Sequence, residues 1–148
     1  MGPVSDDLHA AVAGMLRRAG QRYTVARRSL VDVLAGAGRP LTAADVVAAD
    51  RLTPLSTTYR NLAVLTQAGV LHRFANADCA RFELAEHLSE HHHHLMCLDC
   101  GQVFDVTLPA RTERLITEAL NVAATQTGFT PESHRLDALG RCKTCSST

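Results

Sequence analysis

The sequence predicts an α+β chain: an N-terminal winged helix-turn-helix domain over residues 1–84, followed by a small α/β domain over 85–148 that carries four paired cysteines. Three observations predict it. Helical apolar runs follow one another in the first half, the hydrophobic period shifts toward that of strands near Val70, and the second half carries two Cys-x-x-Cys pairs. A chain of 148 residues with 46% hydrophobic content is long enough for one substantial core or two small ones.

From Asp6 to Ala19 the apolar positions Leu8, Val12, Met15, Leu16 and Ala19 recur at helical spacing, and Gly20 closes the run. Thr24 is placed to cap a second helix, whose stripe of Leu30, Val31, Val33 and Leu34 ends at Gly36 and Gly38. Thr42 can cap a short third helix, Ala43 to Ala49, packed through Val46 and Val47 and separated by Pro54 from the next segment. Ser56 to Ala68 reads as a fourth helix, with Tyr59, Leu62, Ala63 and Leu65 on or near one face and Gly69 at its C-cap. Tight turns between successive helices imply a helix-turn-helix.

Leu71-His72-Arg73-Phe74 and Ala80-Arg81-Phe82-Glu83 flank Asn76-Ala77-Asp78, residues that favour turns, so a β-hairpin or wing is expected from Val70 to Glu83. Strands are expected at Leu95–Cys97 and Gln102–Val106, a helix from Ala110 to Thr125, and a last strand over Ser133–Leu139. This second half resembles a small antiparallel sheet carrying one helix. It buries little by itself and should need a metal or a partner subunit.

Charge is divided between the halves. Ten basic residues face seven acidic ones in 1–84, a net +3, and five face eight in 85–148, a net −3, so the whole chain is neutral. A basic first half suits a polyanion, and a second half rich in acids and histidines suits cations. No run reaches the 18 or more apolar residues of a membrane span, and residues 1–10 lack the pattern of a signal peptide. A cytoplasmic location with no membrane partner is therefore expected.

Five cysteines in such a chain do not form a disulfide framework. Cys97-Leu98-Asp99-Cys100 and Cys142-Lys143-Thr144-Cys145 are two thiolate hooks: the two-residue spacer turns both sulfurs of a hook toward one ion, and two hooks complete a tetrahedron. Four sulfurs with no open position imply structural Zn(II), whose binding energy becomes folding energy. A redox pair would sit at a strand-to-helix turn, and the elements expected from the sequence place neither pair at one. Cys79 stands apart as structural or incidental.

His91-His92-His93-His94 leads straight into the first hook. On extended backbone successive side chains alternate faces, so His91 and His93 point one way and His92 and His94 the other, and one strand can serve two metal sites. Glu83, Asp105, Glu113, His72 and His134 can supply further ligands, and imidazole with carboxylate suits first-row divalent ions.

With these motifs in place, the chain resembles the ferric uptake regulator family from about Arg18 to Cys145. Arg22-Tyr23-Thr24-Val25-Ala26-Arg27 resembles the family's Arg-x-Thr-x-x-Arg entry to the second helix, with Val25 where proline is usual. Ser56-Thr57-Thr58-Tyr59-Arg60-Asn61-Leu62 resembles the recognition-helix signature, Gly69-Val70-Leu71 the lead into the wing, and Phe82-Glu83-Leu84 the motif before the histidines. The run from His91 through Cys100-Gly101 is the most specific match.

The resemblance implies that Ser56, Thr57, Tyr59 and Arg60 meet DNA from the recognition helix, with Arg22, Arg27 and Arg73 adding phosphate or minor-groove contacts. It implies a regulatory site at the hinge between domains, taking His92, His94 and Glu83. A histidine usual before the third helix is absent, since Gly38-Arg39-Pro40 occupies that stretch. His72 is its expected replacement, and Asp105 matches an acid that some branches, peroxide sensors included, recruit. A second site would take His91, His93 and His134, with Glu113 as its acid because Thr112 stands where glutamate is expected.

The implied function is a metal-dependent transcriptional repressor of metal-ion homeostasis genes, a homodimer binding a palindromic operator on double-stranded DNA when the hinge site is metallated. The regulatory ion is expected to be Zn(II) or Fe(II), with Mn(II) or Ni(II) also compatible with the ligands. The alternatives are a peroxide-sensing regulator of the same family and a metal storage or chaperone protein without DNA binding. A metalloenzyme finds no support, since no His-Glu-x-x-His helix and no paired nucleophile and base are present.

Overall fold

A computed structural model describes residues 4–74 and 79–147. The chain divides into two compact units between His91 and His92, seven residues beyond the boundary expected at 84/85. The reason is local: a 3-10 turn, Glu86–Leu88, continues from the hairpin and packs Leu88 against the first core.

The first unit begins with α1 (Asp6–Arg18), capped by Ser5, and α2 (Val25–Ala37), capped by Thr24, whose hydroxyl accepts the Arg27 N–H. Gly38 ends α2 at φ 63°, a left-handed conformation that costs glycine little. The helix-turn-helix consists of α3 (Ala43–Asp50) and α4 (Leu55–Gln67). A reciprocal capping box starts α3: the Thr42 hydroxyl accepts the Asp45 N–H and the Asp45 carboxylate accepts the Thr42 N–H. Arg51 ends it at φ 53°, the only non-glycine residue with positive φ among the described residues.

The wing is β2 (Leu71–Phe74) paired antiparallel with β3 (Arg81–Leu84); the expected turn at Asn76-Ala77-Asp78 lies outside the described residues. Sequence patterning predicts no strand at β1 (Leu41–Thr42), which adds to the other edge of β3 and places the start of α3 beside the wing. Between the helices and this sheet, Val12, Leu16, Leu30, Val31, Val46, Leu62, Leu65 and Val70 are fully enclosed. A polar chain crosses the helices as well: His9 meets the Tyr23 hydroxyl through Nδ1 at 2.7 Å and Asp32 through Nε2 at 2.9 Å. Burial pushes the Tyr23 phenol up to about 12.

The second unit consists of β4 (His93–Cys97), β5 (Val103–Val106), α5 (Ala110–Thr125), β6 (Asp137–Gly140) and a single turn, α6 (Lys143–Ser146). Its sheet corrects the expectation of an antiparallel one. The order is β5-β4-β6, with β4 antiparallel to β5 but parallel to β6. Because β5 runs opposite to β4, the next reversal restores the direction of β4. The long connection through α5 carries the chain past β4 to its other edge, whereas a tight turn would leave the strand beside β5. The last strand is also shorter than expected. Its ladder begins at Asp137, opposite His94, because β4 itself starts only at His93.

Candidate metal centres and nucleic-acid face

The parallel β4–β6 pairing brings the two cysteine hooks together. All four sulfurs of Cys97, Cys100, Cys142 and Cys145 lie within 4.8 Å of one another, with Cys100 Sγ and Cys142 Sγ 3.8 Å apart. The Cys142 backbone N–H donates to Cys97 Sγ at 3.3 Å. Backbone N–H groups of Cys100 and Cys142 together pull the Cys97 thiol down to about 6, while its sulfur neighbours Cys142 and Cys100, and then burial, push Cys145 up to about 12. The backbone thus favours the thiolate at Cys97, while crowding by neighbouring sulfurs opposes it at Cys145. Four converging sulfurs from two Cys-x-x-Cys hooks form a donor set that fits structural Zn(II).

Strand β4 also carries histidines to two sides. His93, with no exposed surface, meets Glu113 Oε1 through Nε2 at 2.7 Å, and His134 Nε2 meets Glu113 Oε2 at 3.1 Å. The ligand atoms of His93, Glu113 and His134 lie within 4.8 Å of one another. The His93 and His134 rings stack with centroids 5.4 Å apart. Glu113, one residue beyond the position the resemblance favours, faces both imidazoles from the first turn of α5.

On the other side His92 and His94 meet edge to face, centroids 4.9 Å apart, and Asp105 on β5 lies opposite His94 with Oδ1 3.9 Å from its Nε2. Imidazole nitrogens and a carboxylate converging at these distances match the chemistry of a first-row divalent ion. Asp137 joins this group from β6, its Oδ1 2.9 Å from His94 Nδ1. Asp137 escapes the sequence reading, since a parallel register between distant strands leaves no local periodicity.

Three expected ligands belong to the first unit. Glu83 is buried in β3 directly opposite His72 in β2, and the His72 ring packs on Phe74 at 4.5 Å. His72 falls in none of the ligand clusters found among the described residues. His91, the last residue of the unit, contacts Glu86 through Nδ1. Cys79 is exposed.

The helix α4 is two-sided. Thr58, Asn61, Leu62 and Leu65 are buried, while Ser56, Arg60 and Tyr59, 55% exposed, face outward with half-buried Thr57 beside them. Tyr59 and Arg73 from β2 line a cleft of about 520 Å³ between α4 and the wing. Arg22 is exposed, but Arg27 is turned into the protein. Its Nε donates to Asn61 Oδ1 at 3.2 Å, and its Nη1 to the Arg22 carbonyl at 2.6 Å and to Gln21 at 3.3 Å. The arginine therefore ties the loop before α2 to α4.

A winged helix with an outward polar face on α4, joined to a unit assembled around thiolate, imidazole and carboxylate clusters, defines a metal-responsive transcription regulator. The family emerges from comparison with known proteins: residues 18–139 match the ferric uptake regulator family, and the chain belongs to it. It is 33% identical over 136 residues to the ferric uptake regulation protein of Bordetella parapertussis, covering 88% of this chain and 93% of that one. It is 29% identical over 136 residues to the peroxide operon regulator of Bacillus subtilis, covering 88% of each. Among solved structures, the ferric uptake regulator from Pseudomonas aeruginosa with manganese aligns at TM-score 0.66 and 30% identity, covering 88% of this chain and 96% of that one.

Proposed function

We propose that this regulator is a homodimeric repressor of metal-ion homeostasis genes, acting in the cytoplasm, whose grip on a palindromic operator depends on an ion held by His92, His94 and Asp105. The observation that carries this reading is β4, a single strand delivering histidines to two ligand clusters while ending in the first zinc hook. By the resemblance, Glu83 adds a ligand from the winged-helix unit and His91 joins His93, Glu113 and His134 in the second site. An ion that binds one arrangement of the chain better than another shifts the population toward it. Arg60 and Tyr59 then read bases, and Arg22 and Arg73 meet phosphates. The dimer is supported by Leu115, Val122 and Phe129 of the second unit, which are 57%, 67% and 68% exposed. The test is an operator gel-shift titration with the divalent ion and with chelator: metal should tighten binding by about tenfold or more, and equal affinity in the two conditions overturns the switch.

A second reading is a peroxide-responsive regulator, favoured by Asp105 facing His94. Operator affinity that collapses after hydrogen peroxide in the iron-loaded protein, but not in the zinc-loaded one, supports it over the first.

A further inference from the structure

His94 is only 4% exposed, and β4 places it between two acids in register: Asp105 opposite on β5 and Asp137 opposite on β6. Residues in register on neighbouring strands share a face of the sheet. The two acids address different nitrogens. Asp137 Oδ1 is 2.9 Å from Nδ1, whereas Asp105 Oδ1 is 3.9 Å from Nε2. A carboxylate only accepts hydrogen bonds, so the proton of the neutral ring lies on Nδ1 and the lone pair on Nε2. A spacing of 3.9 Å is too long for a hydrogen bond, yet two ligand bonds of about 2.1 Å to a shared ion span it. At His93 the pattern differs, for there Glu113 addresses Nε2 itself and is placed as a co-ligand.

We propose that Asp137 is the positioning residue of the His92–His94 site: it fixes the tautomer and the ring angle of His94, presenting Nε2 to the ion without touching it. This rests on the reading of His94 as a metal ligand. The backbone reinforces the arrangement, since the His94 N–H donates to the Leu136 carbonyl at 3.2 Å, one residue before Asp137, and holds the two strands in step. Histidine ligands held by a carboxylate on their second nitrogen bind more tightly because the ring is oriented and its basicity raised.

The experiment uses the full chain with its zinc in place. Long-range ¹H–¹⁵N correlation of the histidine rings in protein without added divalent ion reads the His94 tautomer, and Co(II) titration against a competing chelator reads affinity and d–d spectrum. Wild type should show Nδ1–H. Asp137→Ala should move His94 toward the Nε2–H form and weaken Co(II) at this site about 10- to 100-fold, with band positions unchanged. Asp137→Glu should recover part of both. His94→Ala supplies the reference by leaving only the other cluster to titrate.

An unchanged tautomer in Asp137→Ala, or an affinity within about twofold of wild type where a loss of at least tenfold is expected, overturns the proposal. A changed d–d spectrum overturns it too, because Asp137 would then be a ligand. If His94→Ala leaves the Co(II) titration unaltered, the reading of the site itself fails. A titration weakened in His94→Ala but not in Asp137→Ala sinks the role of Asp137 alone.

Discussion

The two units of this chain have opposite interiors. The first closes over leucine and valine, with eight such side chains from Val12 to Val70 fully enclosed. In the second, the buried residues among those described are His93, His94 and Cys97, joined by Val103 and Ala124, while Leu98, Leu115, Val122, Phe129 and Leu139 lie exposed. Burying apolar surface stabilises a unit from within, at about 25 cal/mol per Å². Burying imidazole and thiol groups costs free energy unless something pairs with them. Unit one therefore has an apolar interior to stabilise it, and unit two, on its own, buries little apolar surface from which to draw stability.

Removing the zinc ligands breaks this comparison most severely. Cys142→Ser opens the clamp between β6 and β4, and apparent zinc binding energies in small thiolate sites reach roughly 10 kcal/mol or more. We expect amide exchange in β4, β5 and β6 to become fast while α2 and α4 keep their protection. Slow exchange in β4 after zinc loss would show that the second unit has a core of its own. The complementary change is Leu62→Ala, at a site with no exposed surface. It should cost about 2–5 kcal/mol, lowering the thermal midpoint of the first unit with zinc content unaltered.

A smaller effect is expected at Glu113, which bridges two imidazoles at 2.7 Å and 3.1 Å. Replacing it by Leu in metal-free protein removes the carboxylate that meets Nε2 of the enclosed His93 and should cost on the order of 1–3 kcal/mol, measured by denaturant unfolding followed in the second unit. No loss would mean that the acid serves only the ion. Both residues are legible in the sequence, His93 from strand alternation and Glu113 as a carboxylate able to supply a ligand, with its place in the second site coming from the family resemblance.

Legibility divides along the same line as the two interiors. In the first unit, helix starts at Thr24 and Thr42 and the apolar stripes can be read because caps and 3.6-residue periodicity are local. The hidden parts are pairings at long range: β1 joining β3 across about 40 residues, and Arg27 bonding Asn61 across 34. In the second unit the Cys-x-x-Cys hooks announce their chemistry through spacing alone. The parallel β4–β6 register cannot be read, and with it goes Asp137, whose role exists only because it lands opposite His94. His72 is placed by analogy, and within the first unit it lies opposite Glu83 across the hairpin and packs on the ring of Phe74.

Acid sharpens the contrast with the smallest change. The Asp45 carboxylate accepts the Thr42 N–H at 3.0 Å, and the Thr42 hydroxyl accepts the Asp45 N–H at 3.1 Å. The Thr42 backbone bond is the main cause holding the Asp45 carboxyl below its ordinary value of 3.8, against a burial that works to raise it. A carboxyl depressed in the folded state stabilises the fold above its unfolded value and loses that contribution as pH falls through the folded one. The cap of α3 should therefore hold until below about pH 4 and weaken only there. Thr42→Ala should cost about 1 kcal/mol at neutral pH, and Asp45→Asn should flatten the acid limb of first-unit stability. The ion-held second unit obeys a different rule, because its ligands must shed protons before they bind. Its unfolding should move to lower denaturant at a milder pH than that of the first unit, and coincident acid transitions in the two would show that they share one source of stability after all.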